Sequence, residues 1–287
     1  MTQDRYIPGV PCWIDTNQPD PQAAADFYRG LFGWELEDQM PPGSGAHYFA
    51  ARIRGQDVAA ISSVPEGAPS AAMWNTYVWV DSADATAETV REAGGTVMSE
   101  PFDVFDAGRM AVCGDPEGAV FSLWQPNRHR GATVVNEPGA VNFNDLHTRD
   151  LDRAKTFYGA VFGWTTLEMD GDFTAWTLPG YGDFLETINP GTRERNAALS
   201  APAGFEDVVA SLILLGDDEP DTPAHWGVTF GVDDADAAAQ RTRELGGTVV
   251  AGPFDAPWVR MAVIADPQGA TFVASQFVPP EDAGAAS

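Results

Sequence analysis

The sequence is written twice. FYRGLFGWE at Phe27–Glu35 returns as FYGAVFGWT at Phe157–Thr165, and VDSADATAETVREAGGTV from Val80 returns as VDDADAAAQRTRELGGTV from Val232. DPEGAVF at Asp115 returns as DPQGATF at Asp266, and RMAV occurs at Arg109–Val112 and again at Arg260–Val263. A repeat on this scale confines the chain to two copies of one architecture. The halves are read as 8–126 and 139–278, joined by a linker over 127–138 and followed by a loose tail over 279–287. The copies are offset by 130 residues at the first motif and 152 at the second, so the second half carries an insertion. Comparing Ile61–Trp74 with Ile188–Trp226 places it near 190–223, with the apolar run Val208–Leu215 as a strand or a lid.

Within each half the pattern divides again. PCWIDTN alternates as a strand does. Asp20 then stands as an N-cap with Pro21 at the first helical position, and Gly33 is placed to end the helix. Short strands HYFAARI and DVAAI follow. NTYVWV opens a second unit, with a helix over about 84–93 stopped by Gly94-Gly95, and then TVMSE, RMAVCG and AVFSLW. Asp-Pro-x-Gly before the last strand suits a tight turn. Each unit is βαβββ. The chain is therefore expected to be α+β: four βαβββ modules forming two tandem cupped domains, helices on the convex face and a cavity on the concave face. Pairing of modules within each half is expected, with first-to-fourth and second-to-third pairing as the alternative.

Composition removes several function classes. Forty-two acidic residues against sixteen basic ones give a formal charge of −26. No basic face is available to neutralise nucleic-acid phosphates or to hold an anionic membrane surface. No apolar run reaches the roughly 18 residues of a membrane helix, and the N-terminus lacks a secretory signal core, so a cytoplasmic location is expected. Cys12 and Cys113 are far apart and outside any CxxC, which argues against a disulfide framework or a zinc ribbon. With four modules in one chain a monomer is plausible, with a homodimer as the alternative.

A strand ending before a capping Asp, the FYxxxFGW helix, the GG-V turn and the DPxG turn together resemble the vicinal-oxygen-chelate superfamily. That superfamily includes glyoxalase I, extradiol dioxygenases, fosfomycin-resistance enzymes and bleomycin-resistance proteins. The two-half organisation, with AGRM, DPEG, LWQPNRH and GATVVNEPG, is similar to the mycobacterial 27/30 kDa culture-filtrate antigen group. The resemblance implies glyoxalase-like domains and a divalent metal held by His, Glu or Gln at set strand positions. Here those positions are Trp13 and Phe143 on the first strands, Asn75 and Gly227 on the second modules' first strands, and Ser122 and Val273 on the last strands. Such residues do not supply the imidazole and carboxylate donors that a hard or borderline ion wants. The expectation is therefore no metal and no other cofactor. His225 lies two residues from an expected position, so a slipped register would revive one ligand and not three; a divalent metal is the alternative.

What remains is an aromatic cup. Trp13, Tyr77 and Trp124 in the first half and Phe143 in the second fall on inferred concave faces, where they either stack on a planar ligand or fill the barrel. Strand parity puts Asp15 and Asn17 on the face of Trp13, and Asp145 and His147 on the face of Phe143. Arg109 and Arg260 are the natural partners of the two aspartates, to pair with them or to anchor a ligand beside them. Gly227 and Gly231 stand where the first half has Asn75 and Trp79, so the two cavities should differ in volume. His47 and His129 are expected to be exposed. The leading expectation is a metal-independent protein that binds a largely apolar or aromatic metabolite or antibiotic through Trp13, Asp15, Asn17, Tyr77, Arg109, Ser122, Trp124, Phe143 and Arg260. The alternative is a glyoxalase-like lyase or hydroxylase-type tailoring enzyme, with Asp145 and His147 as its catalytic acid–base pair.

Overall fold

The computed structural model describes residues 5–67, 70–168, 174–217 and 219–279; the expectation of a loose tail falls almost wholly outside them. The first half forms β1 (Pro11–Gln18), α1 (Pro21–Phe32), β2 (Glu35–Asp38), β3 (Tyr48–Ile53) and β4 (Gln56–Ser63). Its second module follows as β5 (Met73–Trp79), α2 (Ala83–Glu92), β6 (Thr96–Val104), β7 (Gly108–Gly114) and β8 (Val120–Pro126). The second half repeats this with β9 (Val141–Thr148), α3 (Leu151–Phe162), β10 (Thr165–Glu168), β11 (Thr174–Thr177) and β12 (Val208–Leu214). Then come β13 (His225–Gly231), α6 (Ala235–Glu244), β14 (Thr248–Ala256), β15 (Val259–Ala265) and β16 (Thr271–Phe277). Two further helices, α4 (Tyr181–Ile188) and α5 (Thr192–Ala198), lie between β11 and β12.

The α1 boundaries follow from local chemistry. The Asp20 side chain accepts the Ala23 N–H at 3.0 Å, Pro21 occupies the first turn, and Gly33 closes the helix at φ 71°, a left-handed conformation that costs glycine nothing. Asp150 and Gly163 do the same for α3.

Each half makes its own eight-stranded sheet, ordered β2-β3-β4-β1-β5-β8-β7-β6 and β10-β11-β12-β9-β13-β16-β15-β14. The two modules meet where β1 runs antiparallel to β5 and β9 antiparallel to β13. Sheet pairing thus stays within halves. The cores, however, cross between them. Phe27 and Tyr28 of α1 share a buried cluster with Phe230, Ala262, Ile264 and Phe272 of the second half. Phe157 and Tyr158 of α3 share another with Ala111, Cys113 and Phe121 of the first. The two halves pack through the helix-bearing sides of their sheets.

The repeated motifs serve this junction. Tyr28 donates to Asp266 at 3.0 Å and receives Trp74 Nε1 at 3.2 Å; reciprocally, Tyr158 donates to Asp115 at 3.1 Å and receives Trp226 Nε1 at 2.9 Å. Trp34 Nε1 donates to the Gly139 carbonyl and Trp164 Nε1 to that of Gly9, each reaching the opposite half. The FYxxxFGW and DPxG signatures are therefore two sides of one latch, related by an approximate two-fold.

The insertion begins earlier than the spacing implied, overlapping the expected 190–223 through α5, and of the two alternatives for the apolar run the strand is the one that forms. Val208–Leu214 is no addition: β12 pairs with β9 as Ser211↔Asp145, just as β4 pairs with β1 as Ala60↔Asp15. The additional chain precedes it, in the α4–α5 segment, where the first half makes only the Arg54-Gly55 turn between β3 and β4. A parallel neighbour for β9 is needed to complete the sheet, and the alternation of VVASLIL satisfies it.

Candidate functional site

Register identifies the concave faces. In the first sheet Trp13 pairs with Tyr77, Asp15 with Asn75, Tyr77 with Ser122 and Trp79 with Trp124. Paired residues share a face, so Trp13, Asp15, Asn17, Tyr77, Ser122 and Trp124 all line one cup. In the second sheet Phe143 pairs with Thr229, Asp145 with Gly227 and with Ser211, and His147 with His225. Thr229 pairs in turn with Val273, and Gly231 with Ser275.

The first cup is filled by its own side chains. Trp13, Tyr77, Trp79 and Trp124 are each 5–8% exposed. The linker crosses over them: Ala132 N–H bonds the Cys12 carbonyl, and the His129 ring sits 4.3 Å from Trp13 and 5.6 Å from Trp124, edge-on to both. His129 is thus a packing element and not an exposed linker residue, and burial holds its pKa below the usual imidazole value. Trp13 Nε1 donates to the Tyr48 hydroxyl at 3.1 Å, and Ser62 donates to Asn17 Oδ1 at 2.8 Å. Asp15, beneath them, accepts Asn75 Nδ2 and the Tyr77 hydroxyl, both at 2.8 Å. Desolvation outweighs those two hydrogen bonds and pushes its pKa up to about 6.

The second cup has the same plan with smaller walls. At equivalent register positions Tyr77 becomes Thr229, Asn75 becomes Gly227, Trp124 becomes Ser275 and Trp79 becomes Gly231. Asp145 stays buried, accepting Thr229 Oγ1 at 2.6 Å and the Ser211 hydroxyl. Burial raises its pKa, against the two hydroxyls and the nearby His225. His147 and His225 stack face to face, centroids 4.4 Å apart and planes 7° apart. The Pro223 carbonyl lies 2.9 Å from His225 Nδ1 and fixes the proton there, which leaves Nε2 as the acceptor of the neutral ring. Desolvation and the neighbouring His225 bring the His147 pKa down to about 4, so its imidazole is neutral across the physiological range. Phe143, Met261, Val263 and Val273 remain half-buried around this group. The face combines an apolar wall, a carboxyl of raised pKa and a stacked imidazole pair of which His147 is neutral.

Arg109 and Arg260 belong to neither cup. Arg109 shares its face with Ala111 and Cys113, which pack under the helices, and it bridges Asp84 at the start of α2 and Asp103 of β6. Arg260 makes the equivalent pairs with Asp236 and Asp255. An aspartate at each helix N-terminus and a second on the adjoining strand draw these arginines to the convex side, and Asp15 and Asp145 accept hydrogen bonds from neutral donors. His47 lies outside the cups as well, half-exposed and 2.7 Å from Asp38.

The residues at the six positions that the family resemblance marks for a metal do not fit a divalent ion. They comprise an indole, a phenyl ring, an amide committed to Asp15, a glycine, a hydroxyl and a valine. Among the described residues no group of three or more His, Cys, Asp or Glu converges elsewhere either.

Asp15 and His147 give opposite pH signatures. The folded-state pKa of Asp15 is raised to about 6 from 3.8, so its ionisation weakens the fold as pH climbs through that interval, by about 3 kcal/mol in full. Asp15→Asn should therefore stabilise the protein by about 1–3 kcal/mol at pH 8 and by little at pH 4, read from urea melts at both pH values. An Asn variant no more stable at pH 8 than the parent contradicts the buried-charge assignment. His147, lowered from 6.5 to about 4, removes stability as pH falls through that range.

Residues 13–123 and 140–273 match the Glyoxalase/Bleomycin resistance protein/Dioxygenase superfamily. The chain is 41% identical over 273 residues to CFP32 of Mycobacterium tuberculosis, a candidate glyoxylase, with 94% of this chain and 95% of that protein covered. It is 36% identical over 281 residues to the anthracycline biosynthesis protein DauV of Streptomyces sp. strain C5, with 93% of each covered. Among solved structures it is similar to the Mn(II)-bound glyoxalase of Novosphingobium aromaticivorans, with TM-score 0.59 and 17% identity over 94% of this chain and 82% of that one. It is similar too to the 2,3-dioxygenase LapB of Pseudomonas sp. KL28, with TM-score 0.59 and 13% identity over 96% of each. Identities this low establish a shared fold and not a shared reaction.

Proposed function

We propose that this chain, which belongs to the glyoxalase/bleomycin resistance protein/dioxygenase superfamily, binds a planar, largely apolar aromatic metabolite in the cup of its second half, without a divalent ion. The observation that carries the proposal is the replacement of Tyr77, Trp79 and Trp124 by Thr229, Gly231 and Ser275 at matching register positions. The first cup is occupied by its own aromatics; the second leaves that volume to a ligand. Phe143 offers a stacking surface, and Asp145 and His147 offer polar groups that orient carbonyl or hydroxyl substituents. The relative named for anthracycline biosynthesis supports a fused-ring quinone as the ligand class. A hydroxylated anthraquinone is the probe of choice. Protein dialysed against EDTA should bind it by titration calorimetry with the affinity of undialysed protein. An affinity that falls tenfold on chelation and returns with Mn²⁺, Zn²⁺ or Fe²⁺ overturns metal independence.

A second reading, acid–base catalysis, is favoured by the neutral His147 beside a carboxyl of raised pKa. His147 would take a proton from carbon next to a substrate carbonyl, or from water adding to it, and Asp145 in its protonated form would donate a hydrogen bond to the developing oxyanion. The two readings separate on His147→Ala. A binder loses at most a few-fold in affinity, whereas an enzyme loses about 10² or more in turnover at nearly unchanged affinity.

A further inference from the structure

A separate cavity lies at the junction of the halves, bordering the first cup at Trp79 and away from the second. Its volume is about 530 Å³, within the range of small-molecule sites. Parts of the chain that are distant in sequence line it: the N-terminal segment with Tyr6, the end of β5 with Trp79 and Asp81, the end of β8 with Gln125, and the inserted α4 with Phe184. The linker adds Arg130, whose guanidinium lies 5.1 Å from the Trp79 ring centroid. Tyr6 and Trp79 are in ring contact at 5.9 Å, with the Tyr6 hydroxyl tied to the Ala132 carbonyl at 2.8 Å, so the aromatic wall is fixed. Arg5 lies within electrostatic reach of Tyr6 and of Tyr181 on α4. In a chain of formal charge −26, this cavity places a guanidinium group, that of Arg130, beside an aromatic wall.

We propose that this junction cavity, formed where Arg130 lies over Trp79 between Tyr6 and Phe184, binds an aromatic carboxylate. The aromatic walls take the ring system, and Arg130 takes the carboxylate by a charge-assisted hydrogen bond while still stacked on Trp79. The charge count favours a monoanion. Asp81 also lines the cavity, and a phosphate dianion would meet both that carboxylate and the acidic field of the whole chain. The α4 segment belongs to the insertion, for which the first half has only a tight turn, so the site exists once per chain. This inference is independent of the second-half cup and stands or falls separately from it.

The test is titration calorimetry of the full chain with 2-naphthoate, using neutral 2-naphthamide as the control. A dissociation constant below about 1 mM is expected for the acid, with the amide at least roughly fivefold weaker. Arg130→Gln and Phe184→Ala should each weaken naphthoate roughly fivefold or more, whereas Asp81→Asn should tighten it. Added salt should weaken the acid and leave the amide unchanged. Gly227→Leu, in the second-half cup, should leave naphthoate affinity as it is. Equal affinity for acid and amide, indifference to Arg130→Gln in a variant of unchanged Tm, or loss of binding in Gly227→Leu each overturns the proposal.

Discussion

Asp266→Ala is expected to destabilise the protein by about 4 kcal/mol or more, the largest loss from any single carboxylate. Asp266 is 3% exposed, and its two oxygens serve four donors from both halves. Oδ1 accepts the N–H groups of Gln268 at 2.9 Å and Ala270 at 3.0 Å, which hold the DPxG turn. Oδ2 accepts the Tyr28 hydroxyl at 3.0 Å and Gln18 Nε2 at 2.7 Å, both from the first half. Truncation leaves these donors without an acceptor where water cannot easily replace it, and each orphan costs about 1–3 kcal/mol. Asp115→Ala should cost less, because Asp115 serves Tyr158 and the N–H groups of Glu117 and Ala119 without a glutamine counterpart. Urea melts give both values. A double-mutant cycle of Asp266→Ala with Tyr28→Phe should return a coupling of about 1 kcal/mol or more between residues 238 apart in sequence. A loss below about 1 kcal/mol for Asp266→Ala would mean that the hydrogen bonds to Asp266 contribute little to holding the two halves together.

Gly227→Leu is expected to weaken binding of the anthraquinone probe by roughly 30-fold or more while leaving Tm within a few degrees of the parent. Gly227 lies on β13 opposite Asp145, with its backbone outside the left-handed region. A Cβ placed there meets His147 Nε2 at 3.4 Å and the Asp145 carbonyl at 3.7 Å, ordinary contact distances. A β-carbon is therefore tolerated, and the rest of a leucine side chain projects into the cup. The position is also favourable for the fold, since glycine within a strand gives up conformational entropy and packs nothing. Steric closure and loss of stability thus separate in one variant. Unchanged probe affinity in a folded Gly227→Leu protein moves the ligand out of this cup.

How much of this was legible follows from which residues carry periodic signals. The repeat fixed the module count, because FYxxxFGW, GG-V and DPxG recur at corresponding places. Parity then placed Trp13, Asp15, Asn17 and Tyr77 on one face and Phe143, Asp145 and His147 on the other sheet's equivalent face, since a strand alternates with period two. The smaller side chains of the second cup were visible in Gly227 and Gly231 against Asn75 and Trp79 for the same reason. Arg109 and Arg260 were misplaced because proximity was inferred from their retention in both copies. Their own parity with Ala111 and Ala262 carried the contrary signal and puts them on the helix side. His225 was visible only as a near miss to a metal position, and its role as the stacking partner of His147 needs the β9–β13 register.

The amino-acid sequence by itself determined everything that is local or strictly repeated: helix caps at Asp20 and Gly33, strand faces, module order and the duplication. Only the tertiary structure decided how the duplicated parts are used. Tyr28 reaches Asp266 rather than Asp115, the linker lays His129 across the first cup, and α4 closes a cavity against Tyr6 and Trp79. Each depends on contacts between segments more than a hundred residues apart. Local patterning fixes which face of an element is apolar, but the choice of partner is made by the free energy of packing the whole chain.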